Sequence, residues 1–468
     1  MSSRPKVHIS GIGGTAMVAG ARIAIEAGWE VRGTDNPLYP PTSTMVEELG
    51  VPVTYGYAAE NLDWNPDVVL LGNVLSRGNA EVEAALSRKL HFTSLPEWMR
   101  DHVLRKRRSI AICGTHGKTT TTTLTAYLLD RCGLNPGYFI GGQPIDFEHS
   151  AKLGPEGNPF VIEGDEYDTA FFDKRAKFFH YLPEVAVVTS VEFDHGDIYP
   201  DLASIERAFQ LMLRQVPAEG HVILCADNPG SLALASHAYG HVHTYGLHAD
   251  ADYRGEMGEP RDGFQVVRVY RKNDFWAEFE VPLAGRHNLQ NALAGLAVAD
   301  LFGADTAALQ SALRSFRGVK RRMEVFLQAD GITYVDDFAH HPTAIRETVS
   351  AARSRWPKAR LRVLFEPRSN TVVTNRFEPD LMAAFDGADE VYIAPIYRAD
   401  QIPAETRLDR TRIAQALDQR GIAAHVLDEI ASLPGTIVKS GTSGDVVLIL
   451  SNGAFGGIYK TLRESYPH

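Results

Sequence analysis

One segment constrains this chain more than any other. Gly114-Thr115-His116-Gly117-Lys118-Thr119 stands between the apolar run SIAIC and the helix-forming stretch TTTTLTAYLLDRC. A strand that ends in a glycine turn and feeds a helix aims backbone N–H groups at a phosphate. A lysine at this place reaches the β- and γ-phosphates, and the hydroxyl after it binds Mg²⁺. The spacing departs from the usual G-x-x-x-x-G-K-[ST]: Ile112 stands five residues before Gly117, and the glycine, Gly114, only three before it. Strand, turn, Lys-Thr pair and helix still agree, which an incidental Gly-Lys-Thr in a loop would not. ATP is the expected ligand, on Gly114, Thr115, His116, Gly117, Lys118, Thr119 and Thr120. A loop of this kind also requires an α/β architecture.

The rest of the chain repeats that pattern. VHISGI, a small-residue helix at 15–28, EVRGTD and DVVLLGN form a first βα series, the last being apolar enough for a strand covered on both faces. SIAICG, FVIEGDE, EVAVVTSV and HVILCAD form a second. DYRGEM, FQVVRVY and WAEFEVPL alternate polar and apolar and predict an antiparallel patch, followed by helices over 287–302 and 305–315. A third series runs through ITYVDD, LRVLFEP, EVYIAP, AHVLDE and DVVLILSNG. With 468 residues and roughly 150 per domain, three domains are expected, at 1–107, 108–324 and 325–468. The basic run Arg105-Lys106-Arg107-Arg108 reads as a solvated connector between the first two.

Composition removes other classes. At 44% hydrophobic and 22% charged residues the chain can bury a core, so disorder is excluded. No apolar stretch approaches the ~20 residues of a membrane span, and MSSRPKVHIS shows no signal peptide. Three cysteines are too few and scattered for a disulfide framework or zinc site. A net charge of −11 argues against nucleic-acid binding. A cytoplasmic protein with neither membrane nor nucleic acid as partner is expected.

Further constellations sit at strand ends. Gly11-Ile12-Gly13-Gly14-Thr15-Ala16 matches G-x-G-x-x-G/A, with Asp35 ending the next strand. It suits a nucleotide pyrophosphate and ribose, or simply a tight turn. Glu163, Asp165, Glu166 and Asp168 crowd one strand end, which is costly without a cation or a substrate ammonium; Mg²⁺ is the expected occupant, and a solvated acidic loop is the alternative. His195 follows another strand among carboxylates. Asn288 and Asn291 share a helix face and suit adenine, and Asn288 also suits a helix cap. Asp336-Asp337-Phe338-Ala339-His340-His341 offers either a metal site or contacts to ATP.

In this order, GTHGKTTT, the glutamate strand end, the Asp-His pair, GRHNLQN, the arginine pair and DDFAHHP resemble the Mur ligases, the ATP-dependent amide-forming enzymes of peptidoglycan assembly. The resemblance covers essentially the whole chain. It implies a Rossmann-like N-terminal domain for a UDP-sugar, a P-loop ATPase central domain and a Rossmann-like C-terminal domain for an amine. GIGG and DDFAHHP are similar to the branch that adds L-alanine to UDP-N-acetylmuramate. EGDEYDTAFFDKRAKFFHYLP, TDNPLYPPTSTMVEELG, FEPRSNT and SNGAFGGIY are similar to the branch that joins UDP-N-acetylmuramate to the murein tripeptide L-alanyl-γ-D-glutamyl-meso-diaminopimelate during recycling. That joining, through an acyl phosphate, is the expected activity, with L-alanine addition the alternative. The implied roles put Lys118, Glu163 and His195 in catalysis and Thr119, Glu163 and His195 on Mg²⁺. Asn288, Asn291, Arg322, Asp337 and His341 would contact ATP. Gly11, Gly13, Gly14, Asp35, Asn73 and Ser76 would take the UDP-sugar. No lysine lies between His195 and Lys272, so the carbamylated lysine of many Mur ligases has no counterpart there, and the diaminopimelate motif DNPR is missing. Lys174, Arg175, Arg368, Ser369 and Arg398 are the candidates for the peptide. A monomer or weak homodimer is expected.

Overall fold

The computed structural model describes residues 4–247 and 250–466. Its strands fall into three large sheets and one hairpin. The first sheet is wholly parallel, in the order Val53–Tyr55, Glu30–Asp35, Lys6–Ser10, Val68–Leu71, Phe92–Thr93. Val68–Leu71 is buried at every residue, as its unbroken apolar sequence requires. The order reverses at Lys6–Ser10, so the glycine turn after it opens at the switch point where such sheets bind ligands. The helix after the turn spans Thr15–Glu26, two residues short of the expected span.

The second sheet has ten strands. Arg108–Cys113 lies at its centre, flanked in parallel by Pro159–Gly164 on one side and Val185–Val188 on the other. His221–Cys225 and His241–Gly246 continue it. The expected antiparallel patch is present as Tyr253–Met257, Gln265–Arg271 and Asp274–Val281. Helix Lys118–Arg131 follows the central strand, and Arg286–Leu301 packs along it. The run of threonines is buried rather than solvated. Thr122 and Thr123 donate to the carbonyls of Lys118 and Thr119, each at 2.8 Å, which satisfies their hydroxyls within the helix.

The third sheet begins at Glu324–Ala329, antiparallel to Ile332–Asp337, and continues in parallel through Val446–Leu450, Leu361–Phe365, Glu390–Ile393 and Ala423–Val426. Strand Glu324–Ala329 escaped the sequence pattern because it is an edge strand with no fully buried residue. Gly137–Phe139 and the hairpin Asp168–Ala170/Asp173–Ala176 escaped it because they are too short to show a period.

The basic run is not a free connector. Arg107 donates to the Gly154 carbonyl at 2.7 Å, and Arg108 pairs with Glu184 at 2.6 Å and covers the Phe302 ring. It fastens the start of the second sheet to that domain's own loops. Among the described residues no helix is long and apolar enough to cross a membrane.

Candidate active site

The three domains wall one cleft of about 2000 Å³. Its floor is the loop after Arg108–Cys113. At Gly114 (φ +133°) an added Cβ would stand 2.1 Å from the Thr189 hydroxyl, and at Gly117 (φ +81°) 2.7 Å from the Asn291 amide oxygen. Both positions need glycine for backbone angle and for space. The N–H groups of Thr115 and His116 are spent on Ser190, so those two residues serve the loop itself. Helix Lys118–Arg131 has no side-chain cap. Its first N–H groups, at 118–120, lack intrahelical partners and are the ones placed for a phosphate.

Lys118 uses all three of its protons. Nζ donates to the carbonyls of Gly114 (2.7 Å) and Thr115 (3.2 Å) and to Glu166 Oε1 (2.9 Å). Burial works against the ammonium, but Glu166, Asp165 and Glu163 more than offset it and its pKa is raised, so the group stays charged.

The register explains the acids. Ile112 pairs with Glu163 and Cys113 with Val188, so the two strand ends that carry Glu163 and the loop to His195 flank the phosphate loop. The four clustered carboxylates have separate partners. Glu163 accepts from the Thr119 hydroxyl (2.8 Å) and Gly141 N–H (2.7 Å). Asp165 holds Lys177, and Asp168 holds Lys174. Glu166, 2% exposed, takes Lys118 and His195 Nε2 (2.8 Å) on one oxygen. Sequence reasoning named Glu166 among the four acids but did not single it out, because nothing in a run of acids marks which one turns inward. Burial raises the Glu163 pKa against the Thr119 bond and the Lys118 charge. A half-buried carboxylate that accepts from a hydroxyl at the wall of an open cleft, with His195 on the neighbouring loop lining the same cleft, fits a hard divalent cation that keeps some of its water.

On the far wall Asn291 accepts from Thr121 (3.0 Å) and donates to Asn288 (3.2 Å), and Asn288 donates to the Ala284 carbonyl (2.7 Å). The helix starts at Arg286 with Gly285 as its cap residue, so Asn288 is not the cap. At the junction with the third domain, Arg321 is consumed by Asp336 and the carbonyls of Ser451 and Gly453. Arg322 rests over Phe338; burial raises the pKa of both Glu163 and Asp337, and the Arg322 charge works against that rise at each, so it stands between the two domains. Asp337 lines the cleft but accepts from Met323 N–H and Ala339 N–H, both at 2.8 Å. The Asp336/His340/His341 set is not a metal cluster. Instead His341 caps helix Pro342–Arg355 and packs, tilted, against His116 with ring centroids 4.7 Å apart. Among the described residues, His116, Glu192 and His341 are the group whose ligand atoms approach one another.

That group fastens the two domains: Thr343 donates to Glu192 (2.7 Å), and His341 Nε2 faces the Phe193 carbonyl (3.2 Å). Burial and the neighbouring His116 push the His341 pKa down to about 3. Burial alone would raise Glu192, but His116 and Thr343 bring it to about 2. Both groups take up protons more readily in the unfolded chain, so the stability they supply is lost as the pH falls, first through His341 below about 6.5. Between pH 7.5 and 5 the melting temperature should fall less in His341→Asn, which retains a capping side chain, than in the wild type. Equal slopes would contradict this.

Family descriptions match all three domains: Mur ligase family, catalytic domain, at 6–107; Mur ligase middle domain at 112–299; and Mur ligase, glutamate ligase domain, at 321–453. The chain is 39% identical to the UDP-N-acetylmuramate–L-alanyl-γ-D-glutamyl-meso-2,6-diaminoheptandioate ligase of Escherichia coli K12, covering 98% of each. The chain belongs to the Mur ligase family. It is also similar to the crystal structure of a murein peptide ligase from Psychrobacter arcticus, with TM-score 0.72, 34% identity and 98% of each chain covered. A UDP-N-acetylmuramate–L-alanine ligase of Anaeromyxobacter dehalogenans is 34% identical over 97% of this chain and 96% of its own.

In this Mur ligase the remaining expected residues divide. Arg368, Ser369 and Arg398 line the cleft, with the two guanidinium groups 3.7 and 5.0 Å from the Tyr397 ring. Lys174 and Arg175 do not join them. They lie on the exposed hairpin, paired with Asp168 and Asp173, because each finds a carboxylate within its own turn. Gly11, Gly13, Gly14, Asp35, Asn73 and Ser76 gather at the ends of the first sheet, outside the residues walling the cleft, which the turn reaches through Thr15. Asp35 accepts from Gly13 N–H (2.7 Å) and the Tyr57 hydroxyl (3.0 Å), so it closes the glycine turn.

Proposed function

We propose that this Mur ligase joins the lactyl carboxylate of UDP-N-acetylmuramate to the amine of L-alanyl-γ-D-glutamyl-meso-diaminopimelate, in the cytoplasm, with ATP as co-substrate. The observation that carries it is 39% identity, over 98% of each chain, to a ligase of that name, together with one cleft lined by the glycine-lysine loop, by Glu163 and His195, and by third-domain arginines. We assign the UDP-sugar to the first domain (1–107), ATP to the second (108–324) and the peptide to the third (325–468).

A carboxylate is a poor electrophile. Its oxygen attacks the γ-phosphorus of ATP, the bond to the bridging oxygen breaks, and ADP leaves an acyl phosphate. The L-alanyl amine then attacks the acyl carbon, phosphate departs, and the amine proton passes to a base. Lys118 and the 118–120 N–H groups hold the transferred phosphoryl group and stabilise its charge. Asn288 and Asn291 orient the adenine, while Arg322 on one side of the second hinge and Asp337 and His341 on the other complete the ATP site. Thr119, Glu163 and His195 would hold Mg²⁺, which supplies charge neutralisation at the phosphates. Arg368, Ser369 and Arg398 bind the peptide carboxylates. Closure of three domains on the cleft keeps water from the acyl phosphate.

With ATP and UDP-N-acetylmuramate present, adding the tripeptide should release ADP and form product, while L-alanine should give little of either. The opposite preference would make this an alanine-adding enzyme.

A further inference from the structure

One buried carboxylate links two residues to which the proposed reaction gives different tasks. Glu166 Oε1 lies 2.9 Å from Lys118 Nζ and 2.8 Å from His195 Nε2, and its other oxygen lies 2.8 Å from the same ammonium. The side chain is 2% exposed, and its own carbonyl is fixed by the Tyr199 hydroxyl at 2.7 Å. Of its four clustered acids, only this one touches both the phosphate loop and the loop that carries His195. His195 itself adopts a left-handed backbone (φ +55°), and Tyr167 packs against its ring. Such an arrangement for a non-glycine residue persists where the surroundings hold it in place.

We propose that Glu166 is a positioning residue that sets the geometry of the phosphate lysine and the cation histidine together. This rests on the reading of Lys118 and His195 given above. With Nε2–H donated to Glu166, the ring nitrogen left for a cation is Nδ1, which has no hydrogen-bond partner among the described residues. A carboxylate behind a ligating imidazole fixes its tautomer and orientation and raises its basicity. For Lys118 the consequence is different. Its other two protons rest on neutral carbonyls, which a phosphate oxygen can replace, whereas the charged partner is retained. Glu166 is therefore the point about which the ammonium turns from its own loop toward the nucleotide.

The substitution Glu166→Gln preserves size but removes the charge. Its amide oxygen, in the place of Oε1, can still accept from both partners, but its N–H₂ then confronts the Lys118 ammonium and the imidazole loses the carboxylate behind it. Mn²⁺ is the probe, titrated by electron paramagnetic resonance in the presence of ADP. The half-saturating Mn²⁺ concentration should rise about 10–100-fold in Glu166→Gln and less in Glu166→Asp, which restores the charge. The KM for UDP-N-acetylmuramate should not move. Wild-type Mn²⁺ binding in Glu166→Gln, or an equal loss in Glu166→Asp, would overturn the proposal. The titration contains no acceptor substrates, so a wild type that binds Mn²⁺ and ADP normally yet forms no product would count against the proposed reaction and not against Glu166.

Discussion

Lys118→Ala should reduce ADP release and product formation by about a thousandfold, with the substrates still bound. Removing one preorganised donor to developing charge costs roughly 10²–10³ in kcat, and Lys118 supplies a full charge in a buried setting, where charge counts for more. A second effect adds to the first. Without the ammonium, Glu166 retains only His195 as a partner for its buried carboxylate. An uncompensated buried charge is destabilising, and the group relieves it by binding a proton or drawing in water. The phosphate loop would then loosen as well as lose a charge. Lys118→Arg separates the two effects. It keeps the charge but cannot fit its planar fork where a compact ammonium meets two carbonyls and one carboxylate. Its melting temperature should stay nearer the wild type than that of Lys118→Ala, while its kcat should still fall by at least about tenfold. The checks are a coupled ADP assay, chromatography of the UDP-linked product, and thermal unfolding of both variants. Retention of more than a tenth of wild-type turnover in Lys118→Ala would remove Lys118 from the mechanism.

What could be read from the sequence divides along physical lines. Strand Arg108–Cys113, its glycine turn and the Lys-Thr start of the next helix form one contiguous unit, and contiguous units leave a pattern in the chain. Glu163 was also legible, because it ends an apolar strand. Glu166 was not, since only the folded chain shows that Asp168 goes to Lys174 and Asp165 to Lys177 while Glu166 faces Lys118 and His195. The same hairpin explains why Lys174 and Arg175 looked like ligand residues: charge is visible in sequence, but the partner that neutralises it is not. The His116–His341 contact joins residues 225 positions apart in two domains, and no local period announces it. The family resemblance supplied the domain tasks and the reaction, which spacing alone left open between nucleotide ligands.

Arg362→Met should be the most destabilising single substitution in the third domain, by about 3–5 kcal/mol. Arg362 is 0% exposed in the middle of strand Leu361–Phe365. Its guanidinium donates to Glu390 (2.8 Å), the Tyr392 hydroxyl (2.9 Å), the Ser440 hydroxyl (2.7 Å) and the Ile437 carbonyl (3.1 Å). Burial would raise the Glu390 pKa, but Tyr392 and Arg362 hold it below the usual carboxylate range. Methionine matches the stem in volume and takes the guanidinium away from all four acceptors, two of them on helix Leu433–Ser440. Arg360 and His425 also contact Glu390, which should keep the loss toward the lower end of the range. The double variant Arg362→Met/Glu390→Gln should recover part of it, because the unpaired charge is gone and the two sites share one network. The damage should reach the cleft. Strand Val446–Leu450 pairs beside Leu361–Phe365 and leads into Ser451 and Gly453, whose carbonyls hold Arg321 next to Arg322. Arg362→Met should therefore raise the KM for ATP near its unfolding temperature while leaving it unchanged well below. A loss under about 1 kcal/mol in urea unfolding would mean that the buried network adds little net stability over an apolar core, as some buried ion pairs do.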